Sequence, residues 1–266
     1  MSLNVCSLFS GSSGNCTYIG TEKTHILVDA GVPMKNVVSS LKQIGVDIRG
    51  LKGLMVTHEH TDHIKGIGAL SRRLDIPVYA NEGTWEAMMP KLGNIAPHNV
   101  RVFQNNMDFY IQDINIQPYE IPHDAADPVG FCFYAQNKKI SITTDLGHTN
   151  SRIIKAVMDS DLVILEANHD SEMLMAGRYP MYLKKRIAGR KGHLSNEDTG
   201  KALLEIIKGK VAHILLAHLS KENNYPQLAW QTVTDILESS GVKVGKDIQI
   251  DMTYRDKTGN VYHIDI

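Results

Sequence analysis

The sequence VTHEHTDHIKG, residues 56–66, places three histidines and one aspartate within six positions. The apolar segment GLMV leads into it, and an amphipathic helix is predicted to begin near His63. In extended backbone, His58 and His60 project to the same side because successive side chains alternate. Asp62 and His63 can approach the same cavity as the chain turns into the helix. This strand-to-helix corner predicts two pairs of metal ligands; histidines that merely form hydrogen bonds in a polar loop are the alternative.

Composition sets the class of protein around this motif. The 266 residues are 42% hydrophobic, which is enough for one large core, and a single domain over residues 1–266 is expected. No apolar run approaches the ~18 residues of a membrane span, and the N-terminal sequence lacks the pattern of a signal peptide. We therefore expect a cytoplasmic protein without a membrane partner. The formal net charge of −1 means that a nucleic acid would have to be held by a local basic patch.

Cysteine usage limits the chemistry further. Cys6, Cys16 and Cys132 are an odd number, lie far apart and form no C-x-x-C pair. This pattern argues against a disulfide framework and against a thiolate metal site.

Short apolar runs alternate with helical patterns along the whole chain. Strands are predicted at residues 25–31, 52–58, 76–80, 109–121, 130–136, 138–145, 161–168, 213–219 and 261–266. Helices are predicted for MKNVVSSLKQIG, IKGIGALSRRL, SRIIKAVMDS, NEDTGKALLEIIKG and YPQLAWQTVTDILESSG. The alternation indicates a layered α/β protein, in which functional side chains gather on loops at strand ends.

The H-x-H-x-D-H motif resembles the metallo-β-lactamase superfamily of two-metal hydrolases. Three further segments match that family's remaining ligands in chain order, each at the end of a predicted strand. IPHDAADPVGFCF supplies His123, ISITTDLGH supplies Asp145 and HILLAHLSKENN supplies His218. The resemblance implies an αββα four-layer sandwich. Asp145 and His218 are only 73 positions apart (218 minus 145), too few for the large inserted domain of the longer nucleic-acid-processing relatives.

The resemblance also implies how the ligands are divided between two metal ions. His58, His60 and His123 surround one ion, Asp62, His63 and His218 surround the other, and Asp145 bridges them. Asp62 is also predicted to be a catalytic residue. Imidazoles and carboxylates without thiolate suit Zn²⁺, Mn²⁺ or Fe²⁺, and two such ions ~3.5–4 Å apart lower the pKa of a shared water toward ~7. The oxygen-reducing branch carries a carboxylate at the position of His60, so a redox role is disfavoured.

Two segments resemble those that ribonuclease Z-type phosphodiesterases use beside the leaving group. LILEANHD contains Glu166 and RKGHLSNEDTG contains His193. The resemblance makes His193 the candidate general acid and Glu166 its orienting partner. Asn168 and Leu194 depart from that group's pattern. The alternative is that His193 merely lies next to a helix cap formed by Ser195 or Asn196.

A basic run precedes His193. It consists of Lys184, Lys185, Arg186, Arg190 and Lys191, five cations in eight positions. Beside a candidate acid it predicts a substrate-binding surface, although charge runs are usually solvated faces. Ser195, Asn196 and His148 are further candidates for substrate binding. His169 and Asp170 either line the pocket or orient ligands, the latter being preferred for Asp170.

Five segments in order, SLFSGSSGNCTYIG, IPHDAADPVGF, EANHD, GHLSN and AHLSKENN, resemble the YycJ (WalJ) subgroup of the superfamily. That resemblance implies a DNA exonuclease of 5′-to-3′ polarity. Without an inserted clamp domain, the substrate is held by loops, by the basic run or by a second subunit, so a homodimer is possible. The Ser10–Asn15 segment could bind a phosphate through backbone N–H groups, but a tight turn is favoured.

Two other classes of function share the same ligands. A small-molecule hydrolase, such as a glyoxalase II-like thioesterase or a cyclic phosphodiesterase, would gain nothing from the basic run. A non-catalytic regulatory partner would have no reason to keep an intact ligand set. The sequence leaves open the choice of DNA or RNA, the strand preference, the native metal and the oligomeric state.

Overall fold

A computed structural model of the chain describes residues 2–265, whose backbone contacts form two compact units. Unit 1 comprises residues 2–120, 125–138 and 254–265, and unit 2 comprises residues 121–124 and 139–253. The single domain over residues 1–266 stays a prediction.

Within residues 2–265, the structure contains two sheets of seven strands each. The strands are β1 (Ser2–Phe9), β2 (Cys16–Gly20), β3 (His25–Val28), β4 (Leu51–Met55), β5 (Val78–Ala80), β6 (Val100–Val102), β7 (Phe109–Ile111), β8 (Ile114–Glu120), β9 (Val129–Ala135), β10 (Lys138–Thr143), β11 (Leu162–Glu166), β12 (His213–Ala217), β13 (Gln249–Met252) and β14 (Tyr262–Asp265). The helices are α1 (Met34–Gln43), α2 (Thr61–Ile64), α3 (Ile67–Leu74), α4 (Glu82–Leu92), α5 (Ser151–Val157), α6 (Ser171–Ala176), α7 (Met181–Ile187), α8 (Asn196–Ile206) and α9 (Pro226–Ser239). The predicted α/β class is confirmed.

Unit 1 contains the whole first sheet, in the order β14-β1-β2-β3-β4-β5-β6. Strands β3 to β6 run parallel to one another, and the helices that connect them are α1, α3 and α4. The apolar side chains of these helices, such as Val37, Leu70 and Met88, join the strand residues in one buried cluster. Unit 1 also contains the antiparallel strands β9-β8-β7 of the second sheet. The parallel strands bring the carboxyl ends of β3 and β4 to one edge, where the metal-ligand motif begins.

Unit 2 contains the parallel strands β13-β12-β11-β10 of the second sheet. Strand β11 is buried along its whole length, as expected for a parallel strand covered on both faces. The register pairs Glu166 of β11 with Ala217 of β12. The carboxyl ends of β10, β11 and β12 therefore lie side by side, and Asp145, Glu166 and His218 come from the same edge of the sheet.

Two predicted elements are wrong in their extent. The predicted strand 109–121 is a hairpin of β7 and β8, because Gln112 adopts a left-handed φ of 54° and reverses the chain. The predicted helix starting at Ile64 is interrupted between α2 and α3. There Gly66 donates to the Ala30 carbonyl at 2.6 Å, and a Cβ at that position would lie 2.5 Å from the Val32 carbonyl oxygen.

Several elements were not predicted, among them β1, β2, β13, α4, α6 and α7. The terminal strand predicted at residues 261–266 is present as β14, and its last residue lies outside the described part of the chain. Within residues 2–265, no helix has the length and apolar character that crossing a membrane requires.

Candidate metal and catalytic site

The side chains of the two predicted ligand pairs from residues 56–66 lie close together in unit 1, and their role as metal ligands stays a prediction. His58 Nε2 lies 3.1 Å from His60 Nδ1, and Asp62 Oδ2 lies 3.7 Å from His63 Nε2. His58 and His63 are completely buried, whereas His60 and Asp62 are half-buried. The corner after β4 thus offers two pairs of nitrogen and oxygen donors, each pair close enough to share one cation.

A carboxylate that the sequence analysis missed fixes this corner. Asp29 follows β3 with a left-handed φ of 60°, and its Oδ1 accepts from the Thr57 backbone N–H at 2.9 Å. Its Oδ2 accepts from the Thr57 hydroxyl and from Nδ1 of His63, both at 2.8 Å. Because Nδ1 donates to Asp29, the lone pair of His63 is on Nε2, as a metal ligand requires. The available signal was the acidic residue at the end of the predicted strand HILVDAG.

The Ser10–Asn15 segment forms hydrogen bonds with the same corner. The Gly14 N–H donates to the Gly11 carbonyl at 2.9 Å, which closes a tight turn. The Asn15 N–H then donates to the Asp62 carbonyl at 2.8 Å, and the Asn15 side-chain amide lies 3.0 Å from His63 Nε2. The bond between Gly14 and Gly11 is the one expected for a tight turn. Phosphate binding by this segment stays a prediction.

In unit 2, Asp145, Glu166, His193 and His218 each have a donor atom within 4.8 Å of the others. The Asp145 Oδ1 atom lies 3.4 Å from His218 Nε2 and 4.0 Å from His123 Nε2. Asp145 and His218 have φ values of 61° and 58°, respectively, so the backbone turns sharply after β10 and β12. Non-glycine residues with such left-handed φ values are strained and cluster at functional sites.

Glu166 is fully buried at the end of β11 and orients two histidines at once. Its Oε1 accepts from Nδ1 of His193 at 2.8 Å and from Nδ1 of His218 at 2.7 Å. Its Oε2 accepts from the backbone N–H groups of Leu146 at 3.0 Å and Leu194 at 3.2 Å. The predicted contact with His193 is present, and the contact with His218 was not predicted. Both rings consequently keep their Nε2 atoms free of this carboxylate.

The same contacts set the charges of the pair. Burial opposes ionisation of Glu166, but the charge and hydrogen bond of His193 and the contact with His218 lower the Glu166 pKa to about 2. Burial likewise opposes protonation of His193, but Glu166 and Asp145 raise the His193 pKa to about 9. In the metal-free protein this shift favours the protonated form of the His193 imidazole near neutral pH.

His123 is oriented by a backbone carbonyl. Its Nδ1 donates to the Gly192 carbonyl at 3.2 Å, which leaves Nε2 as the ligand atom. A Cβ on Gly192 would lie 2.1 Å from the Ile187 carbonyl oxygen. The close packing of residue 192 against this carbonyl therefore requires glycine. Asp124 lies beside the ring, with Oδ1 3.4 Å from His123 Nε2, and its Oδ2 pairs with Arg186 Nε at 2.5 Å.

The predicted basic run is less exposed than its sequence suggests. Lys184, on α7, is buried and donates to the Met175 carbonyl at 2.5 Å, so its inclusion among accessible cations is corrected. Arg186 is exposed but paired with Asp124. Lys185, Arg190 and Lys191 are exposed.

The other candidate substrate-binding residues have partners within unit 2. Ser195 is the N-cap of α8 and accepts from the Asp198 N–H at 3.1 Å, and Asn196 is completely buried against Asn224. His148 lies half-buried, with Nδ1 2.9 Å from the Arg190 carbonyl oxygen. Their role in substrate binding stays a prediction.

Asp170 has a structural partner of its own. It is the N-cap of α6 and accepts from the Met173 N–H at 2.8 Å. This bond stabilises the start of the helix, and a role of Asp170 in orienting metal ligands stays a prediction.

The donor sets of both units fit divalent metal ions. His63, His123 and His218 each have Nδ1 held by an oxygen acceptor, which selects the tautomer with the lone pair on Nε2. The remaining donors are imidazole and carboxylate groups, and the three cysteines are buried in the strands and form no disulfide. This is the chemistry of a dinuclear divalent-metal site and not of a thiolate cluster.

Comparison with known proteins agrees with this chemistry. Residues 10–218 match the model of the metallo-beta-lactamase superfamily. The chain is 41% identical to exodeoxyribonuclease YycJ of Bacillus anthracis over 250 residues, covering 94% of this chain and 95% of that protein. It is 38% identical to exodeoxyribonuclease WalJ of Streptococcus pneumoniae over 245 residues, covering 91% of each.

Among solved structures, the metallo-beta-lactamase fold protein YhfI from Bacillus subtilis superposes with a TM-score of 0.74 at 15% identity, covering 99% of this chain and 100% of that one. The fold predicted from the sequence, two sheets flanked by helices without a large inserted domain, is thereby confirmed. The chain belongs to the metallo-β-lactamase superfamily and, within it, to the family of the YycJ and WalJ proteins.

Proposed function

We propose that this protein is a metal-dependent phosphodiesterase that digests DNA from the 5′ end. The observation that carries the proposal is the bond from His193 to Glu166, which holds the imidazole in the same cluster as the candidate ligands Asp145 and His218. A general acid next to metal ligands suits a reaction whose leaving group is an alkoxide that must be protonated. The names of the two relatives supply the choice of DNA.

Seven residues would hold two divalent ions of zinc, manganese or iron. They are His58, His60, Asp62, His63, His123, Asp145 and His218. Family membership supports the division of these ligands between the ions and the bridging role of Asp145. When bound, such a pair of ions supplies a hydroxide nucleophile at neutral pH and neutralises the negative charge that develops on the phosphate.

Side chains of the protein would supply the proton, orient the general acid and bind the substrate. His193 would donate its proton to the departing 3′ oxygen, and Glu166 would hold the imidazolium in place through Nδ1, leaving Nε2 to face the substrate. Asp62, whose side chain is 28% exposed, would serve both as a ligand and as a catalytic carboxylate. Lys185, Arg190 and Lys191 would attract the strand, with Arg186 contributing in part because Asp124 offsets its charge. A cytoplasmic location and a homodimer stay predictions.

Digestion of end-labelled nucleic acids tests the function. The substrates are single- and double-stranded DNA and RNA with either a phosphate or a hydroxyl at the 5′ end, and Mn²⁺ or Zn²⁺ is added. We expect mononucleotides to accumulate from the 5′ end of DNA from the first time point. Release from the 3′ end, or preference for a small thioester over every oligonucleotide, would contradict the proposal.

Asp145→Ala is the matched variant for that experiment. It removes the ligand proposed to bridge both ions, so activity should be nearly abolished and bound metal should fall below that of His123→Ala. An Asp145→Ala protein that keeps two ions would show that the bridge is misassigned.

A further inference from the structure

The segment from Met173 to Asn196 in unit 2 has an unusual charge distribution. It contains six lysines and arginines and no aspartate or glutamate, although the whole chain is close to neutral. Two of the six are engaged, since Lys184 is buried on the Met175 carbonyl and Arg186 pairs with Asp124. The other four are exposed and form no ion pair with any carboxylate of the described residues. They are Arg178, Lys185, Arg190 and Lys191.

Apolar and aromatic side chains are exposed among these cations. Tyr182 is 75% exposed on α7, and Met181 beside it is 52% exposed. Tyr182 and Lys185 are three positions apart on one helix, so they occupy the same outward face. Leu183 and Lys184 lie on the inward side, which is more buried. The outer face of α7 therefore presents a flat aromatic ring next to an unpaired cation.

This face is tied directly to the candidate site. The His193 N–H donates at 2.8 Å to the carbonyl of Ile187, which lies two residues past Lys185, and the Gly192 carbonyl accepts from His123. A chain bound along α7 would consequently run toward the residues that carry out the proposed chemistry.

We propose that the outer face of α7, defined by Tyr182 and Lys185 with Arg178, Arg190 and Lys191 at its ends, binds an unpaired stretch of the substrate strand. The inference rests on the proposed function and adds the strand type and its path. Exposed bases stack on aromatic rings whatever their sequence, while lysine and arginine follow the phosphates. In a duplex the bases are stacked on one another, and Tyr182 would have no free base face to contact.

A second copy of the chain fits this face less well. In a two-fold interface the same patch lies on both subunits, so the unpaired cations of one copy would face those of the other. Such like charges oppose association, whereas a polyanion neutralises them.

Binding to closed nucleic acids tests the proposal, because a circle has no 5′ end to be digested. Fluorescence anisotropy of the metal-loaded enzyme is measured with a labelled circular oligothymidylate and with a covalently closed duplex minicircle. We expect Tyr182→Ala to weaken binding of the single-stranded circle by roughly 5- to 150-fold, the usual contribution of one stacked base. Tyr182→Phe, which keeps the ring, should retain the affinity. Duplex binding should change much less.

Control variants separate this effect from a general loss of surface. Tyr110→Ala removes a tyrosine of β7 that is 68% exposed, and Lys42→Ala removes an exposed lysine of α1. We expect both to bind the circle like the unchanged protein, while Lys185→Ala weakens binding and reduces its salt dependence. Equal binding by Tyr182→Ala and Tyr110→Ala would overturn the proposal, and so would equal losses on single strand and duplex.

Two further measurements identify the source of a failure. If sedimentation shows a dimer that Tyr182→Ala dissociates, α7 is a subunit interface and the proposal is overturned. If the unchanged enzyme digests no linear DNA, the proposed function itself fails. Normal digestion of linear DNA together with unaltered binding by Tyr182→Ala rejects only the role of α7.

Discussion

Glu166 and His193 form a buried carboxylate–imidazole pair, with 2.8 Å between Oε1 and Nδ1, and the same oxygen also accepts from His218. One carboxylate therefore positions both the candidate general acid and a candidate metal ligand. This sharing makes the effects of substitutions at the three positions distinguishable.

His193→Ala should leave metal content and fold unchanged while lowering turnover ~10²- to 10⁴-fold, the usual contribution of general acid catalysis. The loss should shrink for a nitrophenyl phosphodiester, because nitrophenolate departs without a proton. Metal stoichiometry and both turnover numbers are measured on the same preparation. An equal slowdown on both substrates at full metal occupancy would leave His193 only a substrate-positioning residue.

Glu166→Gln should impair both functions of the shared carboxylate. The neutral amide no longer stabilises the His193 imidazolium, so turnover on DNA should fall, and His218 should bind metal ~10- to 100-fold more weakly, as for other lost partners of ligand histidines. Metal affinity is followed by titration with a chelator. Glu205→Gln, at an exposed residue of α8, is the control. Unchanged metal affinity would separate Glu166 from the His218 ligand.

Asp29→Asn should weaken metal binding through His63 without touching the general acid. The amide cannot replace both bonds of Oδ2, to the Thr57 hydroxyl and to His63 Nδ1, so we expect a ~10- to 100-fold loss of affinity for one ion. Activity should recover at high metal concentration, unlike that of His193→Ala. The exposed Asp47→Asn provides the control. Failure of added metal to restore activity would mean that Asp29 supports the fold instead.

The stability of the metal-stripped protein should depend on pH through the Glu166–His193 pair. The His193 pKa is raised from 6.5 to about 9, so its contribution to the free energy of unfolding is full below pH 6.5 and is lost as the pH rises to about 9. The Glu166 pKa is lowered from 4.5 to about 2, so its contribution is full above pH 4.5 and is lost as the pH falls toward 2.

Denaturant unfolding between pH 6.5 and 9 measures the His193 contribution. Stability should decline over this interval in the unchanged protein, and the decline should be much smaller in His193→Gln. Parallel pH profiles for the two proteins would show that His193 is not the group that titrates.

The sequence by itself determined the class of fold and the candidate ligands. Alternating strands and helices predicted the α/β layers, and the spacing of His58, His60, Asp62 and His63 predicted two ligand pairs because local backbone geometry fixes neighbours so close along the chain. His123, Asp145 and His218 were found through the family resemblance, each at a strand end.

Only the tertiary structure decided which partners orient these ligands. Asp29 is 34 positions from His63, and Glu166 is 52 positions from His218, so neither contact follows from local spacing. The parallel register that places β11 next to β12 creates the second contact. The sequence also did not determine which cations of the basic run are exposed. Lys184 is buried and Lys185 is exposed, because successive residues of a helix point about 100° apart.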